Sequence, residues 1–123
     1  MTNNIVDPAG APATPLTTLD LYLNEEERTN YFLNSSAPVT QAAMTTAGAV
    51  AHTLSIGGDY SVTVDGNGPH TSAATYTFTP GATANVVINS GTTGYVQIEA
   101  GTFATSHVIT AGAPVIRYAD VLT

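Results

Sequence analysis

The chain has 123 residues, and its nine acidic residues outnumber two arginines so far that the formal net charge is −7. Proteins bind nucleic acid through Lys and Arg side chains that neutralise phosphates, so this charge balance argues against a nucleic-acid partner. The sequence has no cysteine, which excludes disulfides and thiol catalysis. A hydrophobic content of 43% supplies one folded core, whereas the charged content of 9% lies far below the roughly 25% of an average domain.

A surface with so few charges must consist largely of Thr, Ser, Asn, Ala and Gly. Uncharged side chains lose little free energy when they leave water, and short ones lose little rotamer entropy on docking. The composition therefore favours a protein that packs extensively against other subunits. The first residues carry no basic region followed by an apolar region, so we expect no signal peptide and synthesis in the cytoplasm. No apolar run is long enough to predict a membrane span.

Residues 1–16 are predicted to form an extended N-terminal arm. Proline stands at positions 8, 12 and 15, and proline removes a backbone donor and biases the preceding residue toward extended geometry. At about 3.1 Å per residue, an extended arm of this length would reach roughly 50 Å. Such an arm either embraces a partner or is a terminus without fixed structure. Residues 17–123 are predicted to form a β-rich domain.

A short helix is predicted near residues 24–33. Asn24 is a suitable N-cap, and Glu25, Glu26 and Glu27 suit the positive end of a helix dipole. The preceding residues 19–23 alternate between apolar and polar, which indicates a short strand, although a continuous helix from Thr18 is the alternative.

The rest of the sequence predicts an all-β fold, either an antiparallel β-sandwich or a jelly-roll-like barrel. Short runs of alternating apolar and polar residues, rich in β-branched side chains, are separated by Gly, Pro, Asp and Asn. A weaker strand is predicted near residues 38–42. The other predicted strands lie near 53–56, 60–64, 75–79, 84–89, 94–99, 103–110 and 114–121.

No pattern in the sequence predicts catalysis, a cofactor or a metal site. His52, His70 and His107 are too widely spaced for a recognisable metal motif, and no G-x-S-x-G serine motif is present. Residues 65–68 read Asp-Gly-Asn-Gly, which begins like a calcium loop but lacks the later glutamate. Asp-Gly and Asn-Gly are also the preferred dipeptides of tight hairpins, so a turn is predicted here. We therefore expect a protein that is not an enzyme and that has no small-molecule substrate.

Taken together, the Pro- and Ala-rich arm, the single short helix and the Thr- and Gly-rich β-domain resemble the decoration (cement) proteins of tailed-phage capsids. This resemblance covers the organisation and composition of the whole chain and includes no diagnostic motif. It implies a homotrimer that binds the major capsid protein on the outer surface of the virion and clamps neighbouring subunits. The absence of lysine departs from many capsid-binding proteins, so the contact would be mostly apolar, hydrogen-bonded or between acids on this protein and bases on the shell.

The residues expected to bind this partner lie in and just after the arm. They are Ile5, Val6, Pro8, Pro12, Pro15, Leu16, Leu19 and Tyr22, of which the last two could instead join the core. Glu25, Glu26 and Glu27 are expected to face basic patches on the shell, where charge contributes orientation more than affinity.

Two other binding functions remain open from the sequence. The first is a head-fibre, tail-fibre or other glycan-binding module that contacts a host surface. Tyr95 is its best exposed-aromatic candidate, because it shares a strand face with Gln97 and Glu99, opposite Val96 and Ile98, although a packing role for Tyr95 is an equal alternative. Tyr118 is a further candidate. The absence of tryptophan weighs against this function. The second is a surface-layer or pilus-type subunit that polymerises by adding a strand to a neighbour's sheet.

Overall fold

The computed structural model describes residues 27–117, and within that range the protein is all-β, with no helix. Nine strands follow one another along the chain: β1 (Arg28–Asn30), β2 (Gln41–Thr45), β3 (His52–Gly58), β4 (Ser61–Val64), β5 (Asn67–His70), β6 (Tyr76–Phe78), β7 (Thr83–Ser90), β8 (Gly94–Ala100) and β9 (Val115–Arg117).

The strands form two antiparallel sheets. One sheet has five strands in the order β6-β3-β8-β1-β9, and the other has four in the order β2-β7-β4-β5. The longest pairing joins β3 and β8 through seven residue pairs, from His52 opposite Ala100 to Gly58 opposite Gly94. This confirms the prediction of an all-β, antiparallel fold, and two sheets with separate edges fit a sandwich-like arrangement.

One buried apolar cluster receives side chains from both sheets, so the sheets pack face to face. The alternation predicted from the sequence places one side of β3, β4, β7 and β8 in this core. Its members are Phe32, Met44, Leu54, Ile56, Tyr60, Val62, Val64, Ala84, Val86, Val96 and Ile98. Each large side chain buried here contributes roughly 1.5–3 kcal/mol of transfer free energy.

The turn predicted from residue 65 onward is present but shorter than expected: Asp65 and Gly66 form a two-residue hairpin, and Asn67–His70 form the unpredicted strand β5. Val64 lies opposite Asn67, and both central residues have positive φ, 49° for Asp65 and 79° for Gly66. Positive φ at both central residues is typical of two-residue hairpin turns, because the twist of such a turn matches the twist of the two strands it joins. Glycine adopts positive φ without steric cost.

Replacing Gly66 with alanine is expected to destabilise the domain by about 1–2 kcal/mol, the cost of left-handed backbone for a residue with a Cβ atom. An added Cβ at Gly66 meets no atom within 4 Å, so the loss would be purely conformational. Gly81→Ala is the matched control, because its Cβ also meets no atom and its φ is not positive. Urea denaturation should therefore show a lower midpoint for Gly66→Ala alone. Equal midpoints for the two variants would contradict this account of the turn.

The helix predicted near residues 24–33 is wrong wherever the structure describes it. Residues 28–30 form β1, which pairs with β8 and β9, and residues 33–36 form turns. The Tyr31 N–H donates to Ile98 O across the sheet at 2.8 Å, where a helix would have used it locally. Pairing of β1 with β8 and β9 therefore outweighs the local capping signal of the acidic residues. The alternative prediction, a continuous helix from Thr18, is contradicted over the same described residues. Residues 24–26 lie outside the described residues.

The predicted strand boundaries also need correction. The weak strand near 38–42 is displaced to β2, at Gln41–Thr45, and the strand predicted over 103–110 is absent. The last strand begins directly after Pro114, as expected, and is described as far as Arg117. The arm over 1–16 and the strand near 19–23 lie outside the described residues.

Candidate interaction surface

The surface of the described domain is almost free of charge. Residues 27–117 include four acids and two arginines, and two of the six, Arg28 and Glu99, form a buried pair at 3.2 Å. Asp59 is exposed but accepts hydrogen bonds from Thr92 N at 2.8 Å and Thr93 N at 2.9 Å. These backbone bonds hold the pKa of Asp59 below its ordinary value. The Asp59 carboxylate therefore stabilises the loop that follows β7.

An irregular segment, residues 101–113, covers the outer face of the five-stranded sheet; we call it the strap. Its position explains why Gln97 and Glu99 are 0% and 1% exposed although they point away from the core residues Val96 and Ile98. Of the two roles left open for Tyr95, a covered position fits better, because its strand face is buried at Gln97 and Glu99 and Tyr95 itself is half-buried. The side of the strand was predictable from alternation, but the covering segment was not.

Glu99 fixes the strap at Thr105. Its carboxylate accepts hydrogen bonds from Thr105 N at 2.9 Å and Thr105 Oγ1 at 2.6 Å. Gln97 Nε2 at 3.0 Å and Arg28 Nη1 at 3.2 Å complete four bonds, about the full capacity of a carboxylate. A buried charge is tolerated only when hydrogen bonds of this kind compensate it. The bonds from Glu99 therefore hold Thr105 of the strap in place over the sheet.

Further side chains bind the strap along its length. Gln97 Oε1 accepts from Val108 N at 2.7 Å, and Asn30 Nδ2 donates to Val108 O at 2.8 Å. Ser35 Oγ accepts from Thr110 N at 2.9 Å, and Thr110 Oγ1 donates to Phe32 O. The strap's main chain is thus satisfied by side chains, which explains why no strand forms over 103–110.

The fixed strap displays two apolar side chains. Phe103 is 50% exposed and Ile109 is 68% exposed. Arg28 Nη1 donates to Phe103 O at 2.9 Å, and its guanidinium lies 4.5 Å from the centre of the Phe103 ring. Ile109 stands between Val108 and Thr110, whose main chains are bonded to side chains of the sheet and of the turn after β1 respectively. Loops held by a rigid scaffold commonly carry binding residues, and exposed aromatic side chains are typical interface anchors.

Phe103 lies at the end of the domain where the described chain begins and stops. Arg28, which holds Phe103, is paired with Arg117 across β1 and β9. At the same end, Gly101 N donates to Ala51 O at 2.7 Å, next to Val50, which is 51% exposed. We call Val50, Phe103 and Ile109 the exposed anchors.

The ring of the tyrosine singled out for glycan binding is partly covered by its neighbours. Tyr95 stacks on His107 with ring centroids 4.1 Å apart and an interplanar angle of 11°. The ring also lies against Gly57, where a Cβ atom would come within 2.2 Å of it. An aromatic ring that covers a cross-strand glycine is performing a packing role. Tyr118 lies outside the described residues.

Other half-buried aromatic rings also cover one another. His70 stacks on Tyr76 at 4.0 Å, and Tyr76 stacks on Phe78 at 5.4 Å, both nearly parallel. Sugars stack on ring faces, and the faces of Tyr76 are occupied by its neighbours. Stacking within this row of rings therefore leaves ring edges for contact, and not the flat ring face on which a sugar would stack.

A shallow groove lies beside β2, one of the two outermost strands of the four-stranded sheet in the described part of the chain. Its volume is about 270 Å³, near the lower limit of ordinary ligand pockets. The lining residues are Tyr31, Leu33, Gln41, Ala42, Ala43, Met44, Thr45 and Pro114. They include no ionisable group other than the tyrosine, so the groove offers little for catalysis.

The described residues include a contact between a serine and a histidine, and its role is structural. His107 Nε2 lies 2.8 Å from Ser35 Oγ, and burial lowers the pKa of His107. Ser35 is completely buried, and its hydroxyl already accepts a hydrogen bond from Thr110 N. A nucleophile must reach its substrate, so this pair does not form a hydrolytic site. Among residues 27–117, no group of three or more His, Asp or Glu residues could hold a metal ion.

The partner-binding residues predicted from the sequence, Ile5 to Tyr22, all lie outside the described residues. The exposed anchors were not predicted: Phe103 and Ile109 lie in a run with the composition of a strand, and nothing in the sequence around Val50 marks it as exposed. Residues 27–117 include no helix long and apolar enough to span a membrane. Comparison of the chain with protein-family models, curated proteins and solved structures finds no match.

Proposed function

We propose that this protein is a structural binding protein that attaches to the outer face of a viral capsid and clamps neighbouring capsid subunits. The observation that carries the proposal is the nearly uncharged surface of a rigid domain whose strap displays apolar anchors. Such a surface costs little to desolvate and is suited to contact with protein.

The anchors are prepared for binding before a partner arrives. Phe103 and Ile109 project from main chain that is already fixed by Arg28, Gln97, Asn30 and Ser35. Association then loses little conformational entropy in the strap, which is the advantage of preorganisation. A decoration protein must bind a repeating rigid lattice, and a rigid contact surface fits that task.

The arm extends the same contact in this proposal. Residues 1–16 are linked to the domain through Arg28, the residue that also holds Phe103. An arm spanning roughly 50 Å could reach a neighbouring capsid subunit. Arms from a homotrimer would raise one another's effective concentration, so that several weak contacts become one persistent attachment.

Glycan binding is the weaker alternative. It requires an open aromatic face, whereas the Tyr95 ring stacks on His107 and lies against Gly57. The described domain therefore supports contact with a protein lattice better than contact with sugar.

Gradient sedimentation of the native source material, followed by immunoblotting for this protein, tests the proposal directly. Co-migration with capsid particles of megadalton size is the expected result. Migration as a free species of one to three chains would overturn it, and glycan arrays would then test the alternative.

Removal of residues 1–16 is expected to leave the melting temperature nearly unchanged while abolishing binding to purified particles. Phe103→Ser should weaken binding by about tenfold or more, as loss of a central anchor usually does. Ser61→Ala, a small polar change on β4, serves as a control that should bind normally. A large loss of stability on removing the arm would show that the arm belongs to the domain's own core, and the clamp model would then fail.

A further inference from the structure

The Asn-Gly pair at residues 67–68 remains unexplained by the hairpin. The turn itself uses Asp65 and Gly66, so Asn67 and Gly68 already belong to β5. Asn-Gly is the dipeptide most prone to spontaneous cyclisation, because glycine offers no side chain to hinder attack of its nitrogen on the asparagine amide. This is the only Asn-Gly pair in the sequence.

The electrophile of that reaction is held by a histidine. His70 Nε2 lies 3.1 Å from Asn67 Oδ1. A carbonyl oxygen only accepts, so Nε2 donates in this contact. His70 is itself positioned by stacking on Tyr76, with ring centroids 4.0 Å apart and an interplanar angle of 17°. A donor fixed on a carbonyl oxygen polarises the carbon and stabilises the negative charge that develops there during attack.

The nucleophile is left available by the register of the hairpin. Val64 and Asn67 are the pair that closes the two-residue turn, so the main-chain groups of Asn67 face β4. The register shifts at the next residues: Val62 lies opposite His70, so Gly68 and Pro69 lie in a bulge where the regular ladder to β4 is interrupted. β5 is also one of the two outermost strands of its sheet in the described part of the chain. Asn67 and Gly68 are both exposed to water.

We propose that Asn67 is a self-modification site at which His70 promotes deamidation. The Gly68 nitrogen attacks Asn67 Cγ and loses its proton to water, while His70 supports the oxyanion on Oδ1. The tetrahedral adduct expels the side-chain amine as ammonia and leaves a succinimide ring. Water then opens the ring at either carbonyl and gives aspartate or isoaspartate at position 67.

Modification would change both charge and chain geometry at this edge. Each product adds one negative charge two residues from Asp65, on a domain with very few charges. Isoaspartate also inserts a methylene group into the main chain of β5, which is incompatible with the present pairing to β4. Modified molecules would therefore carry a locally altered hairpin.

Incubation of the full-length protein at neutral pH, followed by peptide mass spectrometry, measures the rate at position 67. His70→Phe is the test variant, because a phenyl ring keeps the stack on Tyr76 but cannot donate to Asn67 Oδ1. We expect His70→Phe to slow deamidation of the folded protein at least about tenfold, as loss of a positioned acid commonly does. In concentrated urea the two proteins should react at equal rates, since the contact is then lost.

Three results would overturn the proposal. One is the absence of modified peptide in the wild-type protein, and another is an equal rate in folded wild type and folded His70→Phe. The third is a difference between the two proteins that persists in urea. Asn89, which precedes Ser90, provides an internal reference within the same digest. Gly68→Ala is unsuitable as a test, because φ is +153° there and a Cβ would lie 2.9 Å from Val62 O.

Discussion

Glu99→Gln is expected to destabilise the domain by about 3–5 kcal/mol, the usual cost of removing one partner from a buried ion pair. Glutamine has nearly the same shape, but its amide nitrogen cannot accept the bonds that one carboxylate oxygen receives. The change would remove the charge that faces Arg28 Nη1 at 3.2 Å, between two side chains that are both buried. Urea denaturation should show a much lower midpoint, because the loss is a large fraction of a typical domain's stability.

Glu27→Gln is the matched control for this experiment. It makes the same chemical change one residue from Arg28, at an exposed position, and should alter stability by no more than about 0.5 kcal/mol. The double variant Arg28→Gln with Glu99→Gln should cost less than the sum of the two single changes, since it leaves no buried charge. Glu99→Gln and Glu27→Gln with the same midpoint would show that the buried pair does not hold the strap.

Phe32→Ala is expected to cost about 3–5 kcal/mol. The side chain is completely buried in the cluster shared by the two sheets, and its removal would leave a cavity. Its main chain is fixed at both polar groups, by Asn30 Oδ1 and by the Thr110 hydroxyl, so the site has little freedom to collapse around the gap. Thermal and urea denaturation would both measure the loss.

Phe103→Ala makes the same substitution at an exposed phenylalanine and serves as the comparison for Phe32→Ala. Phe103 is half exposed, so its truncation should cost about 1 kcal/mol or less in stability while weakening attachment to particles. A large stability loss at Phe103 would show that its ring works mainly in packing against Arg28. A small loss at Phe32 would show that the buried cluster is less tightly packed than the structure indicates.

The strands could be predicted from the sequence wherever apolar and polar residues alternate regularly. Leu54, Ile56, Val62 and Val64 alternate with polar residues, and all four are buried in the core. Tyr60, which continues the same alternation from Val62 and Val64, is also buried there. These predictions succeed because a period of two residues fixes the buried face of a strand without reference to distant contacts.

Two features depend on contacts distant in sequence and were therefore missed. The acids before Arg28 signal a helix start, yet residues 28–30 pair with β8 and β9, about seventy residues or more away. The run from Phe103 to Thr110 has a strand's composition, yet Gln97 and Asn30 take the bonds that a neighbouring strand would make. No local pattern shows that a polar strand face will be covered by the segment that follows it.

The place of β1 in its sheet has a consequence for how the chain folds during synthesis. Both strands that flank β1 come from the last quarter of the chain, so β1 has no neighbour when it leaves the ribosome. The four-stranded sheet and the β3–β6 pair draw only on residues 41–90 and could assemble before then. Long-range pairing of this kind slows folding, because a large loop must close before any bond forms. The strap needs Asn30 and Arg28 as well as β8, so the surface that carries Phe103 would be completed only once nearly the whole chain exists.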